Sequence, residues 1–407
     1  MSLLDTLPPE IISEILIYGL ADIKPNQYTY NYRRYVSMLC AVHQRLRIIA
    51  INTPALWTRI SIDNPDDLCL ATEMVGLLLA RSGTLPLNII LRFPWAHRYD
   101  RYDGSALLAA ATLLKSCYHR AETIFLEFGI RVDPHPFAGS LRGVKHVSLH
   151  MQKLRKDLIK LIKDCAPRSL YIINSNPNFV KGLNTKRLVH LHVRAPADIL
   201  LLQKCQAVKW LKLDNGTRCL RNDTQLSLPR LRVAIIRGKI GSGGAFHFDA
   251  PLLEHLTVTS KFNVFCDFPR LRTITTSDHR VFFRLDEVQT VVAIRTLGAS
   301  VAEKLVEWLL DEDVDPTVRF SGLQVLQIQL RGRAAQEYFL DTVERITRWR
   351  PDLAVEILFS DGDPGSVHSY LTLTSLKNVT ILNAWDDLRE RFRGEEYDYK
   401  ADAGILI

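Results

Sequence analysis

Leu228-Pro229-Arg230-Leu231-Arg232-Val233-Ala234-Ile235-Ile236 is followed by Ala250-Pro251-Leu252-Leu253-Glu254-His255-Leu256-Thr257-Val258 and by Phe268-Pro269-Arg270-Leu271-Arg272-Thr273-Ile274. Each segment opens on a proline after an apolar residue and continues as a short run with apolar anchors in the pattern apolar-x-x-apolar-x-apolar. A proline at such a point restricts the preceding residue to extended geometry and starts a strand cleanly. The same anchors recur on both sides, at Ile124/Leu126, Val144/Val147/Leu149, Leu170/Ile172, Leu188/Leu191/Val193, Val208/Leu211/Leu213, Leu323/Leu326/Ile328 and Leu376/Val379/Ile381. Between Val144 and Leu271 the repeat is about 18 to 23 residues, close to the range of leucine-rich repeats. One such unit cannot bury its apolar side alone, so neighbours must stack.

These observations predict an α/β chain with an irregular leucine-rich-like solenoid over residues 121–385. A mixed α/β domain with several parallel strands is the rival architecture. Helical returns are expected at Lys153–Cys165, Pro196–Gln206, Val301–Leu310 and Ala334–Trp349. Residues 61–120 form a connector and N-terminal cap, with a strand at Thr58–Ile62, a helix at Pro65–Arg81, a strand at Leu85–Phe93 and a helix at Ala106–Cys117. Residues 386–407 form a charged tail.

Ahead of this lie residues 1–60. Leu7, Ile11, Ile12, Ile15 and Leu16 recur at three- and four-residue intervals, which predicts an amphipathic helix. Asp5 or Thr6 is placed to cap it, Pro8 and Pro9 suit its first turn, and Gly19 and Pro25 are expected to end it. A second helix is predicted from Val36 to Ile51, ended by Pro54.

The motif Leu7-Pro8-Pro9-Glu10-Ile11-Ile12, the basic helix after it and Thr53-Pro54-Ala55-Leu56-Trp57 resemble an F-box of the version common in basidiomycete fungi. Ala80-Arg81-Ser82-Gly83-Thr84-Leu85-Pro86-Leu87 extends the likeness. The resemblance implies a substrate-receptor subunit of a Skp–cullin–F-box ubiquitin ligase. Leu7, Pro8, Ile11, Ile15 and Leu16 would then contact the Skp-type adaptor, with Val42 and Leu46 from the second helix, and a cullin–RING ligase would be reached through it. The bland alternative is that these residues pack against the rest of the chain.

The strand positions between anchors point away from the core, because side chains alternate. This sets His146 and His150 in one row, His190, His192 and Arg194 in another, then Trp210 with Lys212, and His255 further on. Tryptophan, histidine and arginine on a sheet suggest a face that holds a protein substrate, against the reading of ordinary solvated strand positions. His190 and His192 share a strand face, yet no cysteine or carboxylate completes a zinc pattern, so no metal or cofactor is expected. Gly238-Lys239-Ile240-Gly241-Ser242-Gly243-Gly244 lacks the helix that a phosphate loop opens and reads as a connection. Lys153, Arg155, Lys156, Lys160 and Lys163 define a helix with a basic outer side.

The chain has 407 residues, 47% of them hydrophobic, with a formal net charge of +8. That charge permits acidic partners without demanding nucleic acid. Seven scattered cysteines without a Cys-x-x-Cys pair suggest free thiols in the cytoplasm or nucleus. No apolar run approaches the roughly 18 residues of a membrane span, and no signal peptide is read. No catalytic triad, nucleophile elbow or kinase signature stands out, so an enzyme is not expected. The second functional class is a repeat-protein scaffold, or a nucleic-acid-associated protein, with no ubiquitin role.

Overall fold

A computed structural model provides the three-dimensional structure. It describes residues 6–21, 29–62, 68–93, 104–128, 140–151, 165–174, 184–194, 197–198, 202–214, 217–218, 225–237, 246–259, 264–277, 291, 293–297, 299–309, 322–330, 336–359, 376 and 378–382. The basic segment 153–163, the glycine-rich segment 238–244 and the charged tail 386–407 lie outside these residues. Among the described residues the chain divides into two units, one up to Leu188 and one from Val189 to Leu382.

The first unit begins with helices α1 (Pro9–Ala21), α2 (Thr29–Val42) and α3 (Gln44–Ile51), then a 3-10 turn over Pro54–Trp57. The helix expected to run unbroken from Val36 to Ile51 is two helices. His43 breaks it: its backbone is extended, with φ −150° and ψ 137°, and its Nδ1 accepts the Arg45 N–H at 3.2 Å as the cap of α3. Gly19 does not end α1, which continues to Ala21. A Cβ there would lie 2.5 Å from the Tyr35 hydroxyl, so glycine lets Tyr35 of α2 approach α1.

Around these helices the buried residues are Ile12, Leu16, Val36, Leu39, Leu46, Ile49 and Ala50. Polar bonds fix the register. Arg45 donates to the Leu7 carbonyl at 2.6 Å, and the Ser13 and Thr53 hydroxyls share a hydrogen bond at 3.0 Å. Trp57 is buried, its indole N–H donates to the Ala50 carbonyl at 2.8 Å, and the Arg81 guanidinium stacks over its ring at 4.3 Å. The Thr-Pro-Ala-Leu-Trp motif thus anchors the helices, through Leu56 and Trp57, to the strand–helix segment on its C-terminal side.

That segment builds a parallel sheet in chain order: β1 (Arg59–Ile62), β2 (Leu87–Phe93), β3 (Ala121–Phe128), β4 (His146–Met151) and β5 (Ser169–Asn174). Helices α4 (Leu68–Arg81) and α5 (Gly104–Cys117) connect the first three and pack on each other. Parallel strands need such crossovers, which is why long helical patterns separate these strands in the sequence.

The second unit is a leucine-rich-repeat-like solenoid. Its main sheet runs in parallel through β6 (His190–Val193), β8 (Trp210–Leu213), β11 (Val233–Ile236), β13 (His255–Val258), β15 (Thr273–Thr276), β16 (Ala293–Leu297), β17 (Val325–Leu330), β18 (Ala354–Phe359) and β19 (Val379–Leu382). Helices α6 (Ala299–Leu309) and α7 (Gln336–Trp349) form two of the returns, within two residues of the sequence-based bounds.

Other returns hold strands that the anchor pattern does not reveal. β10 (Gln225–Ser227), β12 (Phe246–Asp249) and β14 (Val264–Asp267) pair as a second parallel sheet, and β7 (Ala197–Asp198) pairs with β9 (Thr217–Arg218). Within the helix expected at Pro196–Gln206, Ala197–Asp198 form a strand and Leu202 is helical, with a turn after it, while 196 and 199–201 lie outside the described residues.

Between a return strand and its main strand the chain makes a turn. The N–H groups of Leu231, Leu253 and Leu271 donate to the carbonyls of Leu228, Ala250 and Phe268, each at 3.0 Å. Pro229, Pro251 and Pro269 occupy the second turn position, where a fixed φ is favourable. Inside the coils Leu231, Leu253, Leu256, Leu271 and Ile274 are buried, and Phe248 meets Phe268 edge-on at 5.5 Å.

Leu256, at 1% exposure, and the half-buried Thr257 beside it sample the two faces of β13. Leu256→Ala is expected to cost about 2–5 kcal/mol. Thr257→Ala is expected to cost less than about 1 kcal/mol. Urea denaturation of the two variants checks this, and equal losses would contradict the assigned faces.

Candidate functional site

Two kinds of surface stand out: the outer side of the N-terminal helices, and the strand positions facing away from the core in each unit.

On the helices, the expected contact residues divide. Pro8, Ile11, Ile15 and Val42 are exposed, Ile11 at 47%, Ile15 at 56% and Val42 at 66%. Leu7 is half-buried, while Leu16 and Leu46 are in the interior of the helical unit at 5% and 8%. These last two hold the helices together and offer no surface. The sequence reasoning missed Tyr18, Met38 and Ile48, which are at least half exposed. Their spacing was a usable signal, since Ile11, Ile15 and Tyr18 continue one stripe of α1 and Met38 and Val42 are one turn apart on α2. A cleft of about 600 Å³ between α1 and α3 is lined by Glu10, Ser13, His43, Arg45, Ile48 and Asn52, among others.

In the first unit the outer strand positions form cross-strand rows. His146 pairs in register with Thr123 and Ser169, and His150 with Glu127 and Ile173. His150 sits between two rings, Phe125 at 4.6 Å and Tyr171 at 5.0 Å, both edge-on. Arg92 stacks on Phe125 at 4.7 Å and lies 3.6 Å from Glu127. Burial pushes the Glu127 carboxyl up, with Arg92 opposing. Burial also holds the His146 imidazole below its usual range. His146 Nδ1 and Ser148 Oγ are buried with no hydrogen-bond partner among the described residues, and an unpaired buried polar group costs stability.

In the second unit the expected open row is partly closed. His190, His192 and Trp210 are only 4%, 5% and 3% exposed, so they are interior residues rather than solvated strand positions. Lys212 and His255 are half-buried and Arg194 is exposed. His192 Nε2 lies 2.6 Å from Asp214 Oδ2, and Arg237 stands 3.9 Å from the other carboxylate oxygen. Trp210 meets the His192 ring edge-on, and its own indole N–H is buried without a partner among the described residues. His255 Nδ1 and the Thr273 hydroxyl share a hydrogen bond at 2.5 Å, and Gln327 donates to Glu356 at 2.6 Å.

Among the described residues no group of three or more His, Cys, Asp or Glu side chains stands together as a metal site. Cys40, Cys117, Cys165 and Cys205 are free, and burial pushes the Cys165 thiol up to about 12, which leaves it unreactive. No described helix is long and apolar enough to cross a membrane.

The fold and its two surfaces define a leucine-rich-repeat-like chain headed by a helical unit. No family model matches the chain, and no curated protein matches it. Among solved structures it is similar to an internalin (inlF) from Listeria monocytogenes, with 11% identity over 68% of this chain and 83% of that one and a TM-score of 0.29.

Burial sets the His192 imidazole at about 4 against an ordinary 6.5, the Lys212 and Arg237 charges adding to this and the Asp214 hydrogen bond opposing it. Neutral His192 then donates to the Asp214 carboxylate, whose own value is lowered: burial raises it, and the His192 hydrogen bond and the neighbouring charges outweigh that. Because the folded-state value of His192 is depressed, folding is favoured above the unfolded value and loses stability as pH falls from 6.5 toward 4. The full effect is about 3 kcal/mol. His192→Gln, which cannot take up the proton, is expected to flatten that part of the urea-stability profile. An unchanged slope would exclude His192 as its source.

Proposed function

We propose that this chain is the substrate-receptor subunit of a Skp–cullin–F-box ubiquitin ligase. Its N-terminal helices would dock a Skp-type adaptor, and its strand faces would hold a protein substrate. The observation that carries this is the exposed apolar stripe of Ile11, Ile15 and Tyr18 on α1, with Met38 and Val42 on α2. Large apolar side chains at such exposure are what an amphipathic helix offers to a groove on a partner. Covering the roughly half of each that is exposed would contribute about 1–2 kcal/mol per residue. Leu16 and Leu46, buried inside the helical unit, would shape this surface from below without touching the partner.

The chain itself would perform no bond chemistry. It would raise the effective concentration of substrate lysines near a conjugating enzyme carried by the same complex. The half-buried aromatic, imidazole and guanidinium groups of the first sheet, Arg92, Phe125, His150 and Tyr171, have the composition of a protein-recognition surface.

Co-purification with a fungal Skp-type adaptor tests this. The wild-type chain is expected to form a one-to-one complex, and Ile11→Asp with Ile15→Asp to abolish it while leaving the thermal transition in place, since both side chains are exposed. Leu16→Ala is expected to lower stability first. A wild-type chain that stays alone at micromolar concentration would remove the adaptor role and leave a protein-binding scaffold.

A further inference from the structure

The strand-entry edge of the second unit carries a row of cations that the strand faces do not use. Lys209, Arg232, Glu254 and Arg272 each stand one residue before a main strand, in four successive coils. Backbone bonds lock them into line. The N–H of Arg232 donates to the Lys209 carbonyl, that of Glu254 to Arg232, and that of Arg272 to Glu254, each at 2.8 Å. Arg230 and Arg270 occupy the third position of the turns held by Pro229 and Pro269. Lys209, Arg230, Arg232, Arg270 and Arg272 are all exposed. Over Leu228–Arg232, Ala250–Glu254 and Phe268–Arg272 the sole carboxylate is Glu254, which lies 3.7 Å from Arg232. Lys209, Arg230, Arg270 and Arg272 make no ion pair among the described residues. The neighbouring carboxylate of Asp249 is taken by the Ser227 hydroxyl at 2.8 Å.

We propose that this edge binds an acidic segment of a partner protein. Neighbouring strands are about 4.8 Å apart, so Arg230 and Arg270, and likewise Arg232 and Arg272, are held about 10 Å apart on rigid turns. Three residues of a polyproline II chain complete one turn over nearly the same distance, about 9 Å, and bring every third side chain back to the same side. Carboxylates spaced by two intervening residues therefore meet successive guanidinium groups, each able to take a carboxylate with two N–H bonds. In the coil between, Glu254 repels an unbroken run of negative charge and Leu252 offers it no cation, so a neutral or basic residue is accepted there. A nucleic-acid backbone presents such an unbroken run, and this edge has no exposed aromatic residue on which bases could stack. The proposal does not depend on the adaptor role: it concerns another surface and another unit.

Fluorescence anisotropy with the full-length chain tests it. The probes are a fluorescein-labelled peptide with glutamate at every third residue, the same peptide with glutamine instead, and a short DNA duplex, all at low salt. Binding of the glutamate peptide is expected, with the duplex weaker and the glutamine peptide inactive. Arg230→Gln with Arg270→Gln is expected to weaken the peptide by about tenfold, and Lys209→Gln, at the end of the row, by less. The proposal is overturned by failure of the glutamate peptide to bind, equal binding of the glutamine peptide, an unchanged affinity in the double variant, or tighter binding of the duplex. Thermal melts confirm that the variants remain folded.

Discussion

The second unit rests on one repeated backbone bond: the N–H of each strand-entry residue donates to the carbonyl of the equivalent residue one coil earlier. Lys209 donates to Val189, Arg232 to Lys209, Glu254 to Arg232 and Arg272 to Glu254, all at 2.8 Å. A buried backbone group without a partner costs about as much as a lost hydrogen bond. No coil can supply that partner to itself, just as none can bury its own leucines. Polar and apolar requirements therefore have the same solution, a neighbouring coil in strict register. The proline turns make the register easier to reach, because Pro229, Pro251 and Pro269 restrict the chain before it folds.

This constraint explains which parts of the fold were legible. Anchors such as Leu253, Leu256 and Val258 repeat because every coil must fill the same interior position, and that repetition is visible in the residues. The helices at Leu68–Arg81, Gly104–Cys117, Ala299–Leu309 and Gln336–Trp349 carry their own apolar period. The return strands are different. β10, β12 and β14 have three or four residues each, too few for a period, and they exist because the coils beside them are already stacked. The break at His43 was hidden for another reason: an imidazole caps a helix through one side-chain nitrogen, without the serine, threonine or aspartate that usually marks such a start.

The candidate sites show the same division. Alternation along a strand sets His192 and Trp210 on the face opposite the leucines, but it says nothing about what lies on that side. Both are interior, so their polar atoms must find partners within the protein or go without. His192 finds Asp214, while the Trp210 indole finds no partner among the described residues. On α1 the ambiguity is rotational. Ile11, Ile12, Ile15, Leu16 and Ile17 make the apolar sector wide enough to face in either of two directions. Packing of α2 and α3 decides it, drawing Ile12 and Leu16 inward and leaving Ile11 and Ile15 outside. A sequence pattern identifies an amphipathic helix, and only the neighbouring helices select which half of a broad apolar face becomes surface.

The two proposed binding surfaces draw on opposite physics, and this has a consequence for how they act. The helix stripe is apolar, so its attraction is short-ranged and is not screened by ions. The cationic edge of the solenoid acts across a Debye length of about 8 Å at physiological ionic strength and speeds encounter more than it holds. A chain with both can keep one partner through slow dissociation at the apolar stripe while sampling others rapidly at the charged edge. The repeats suit the second task because each coil places its entry residue at a fixed step. Charge is thereby spaced by the backbone ladder rather than by flexible side chains, and the register that stabilises the fold also sets the spacing that a partner must match.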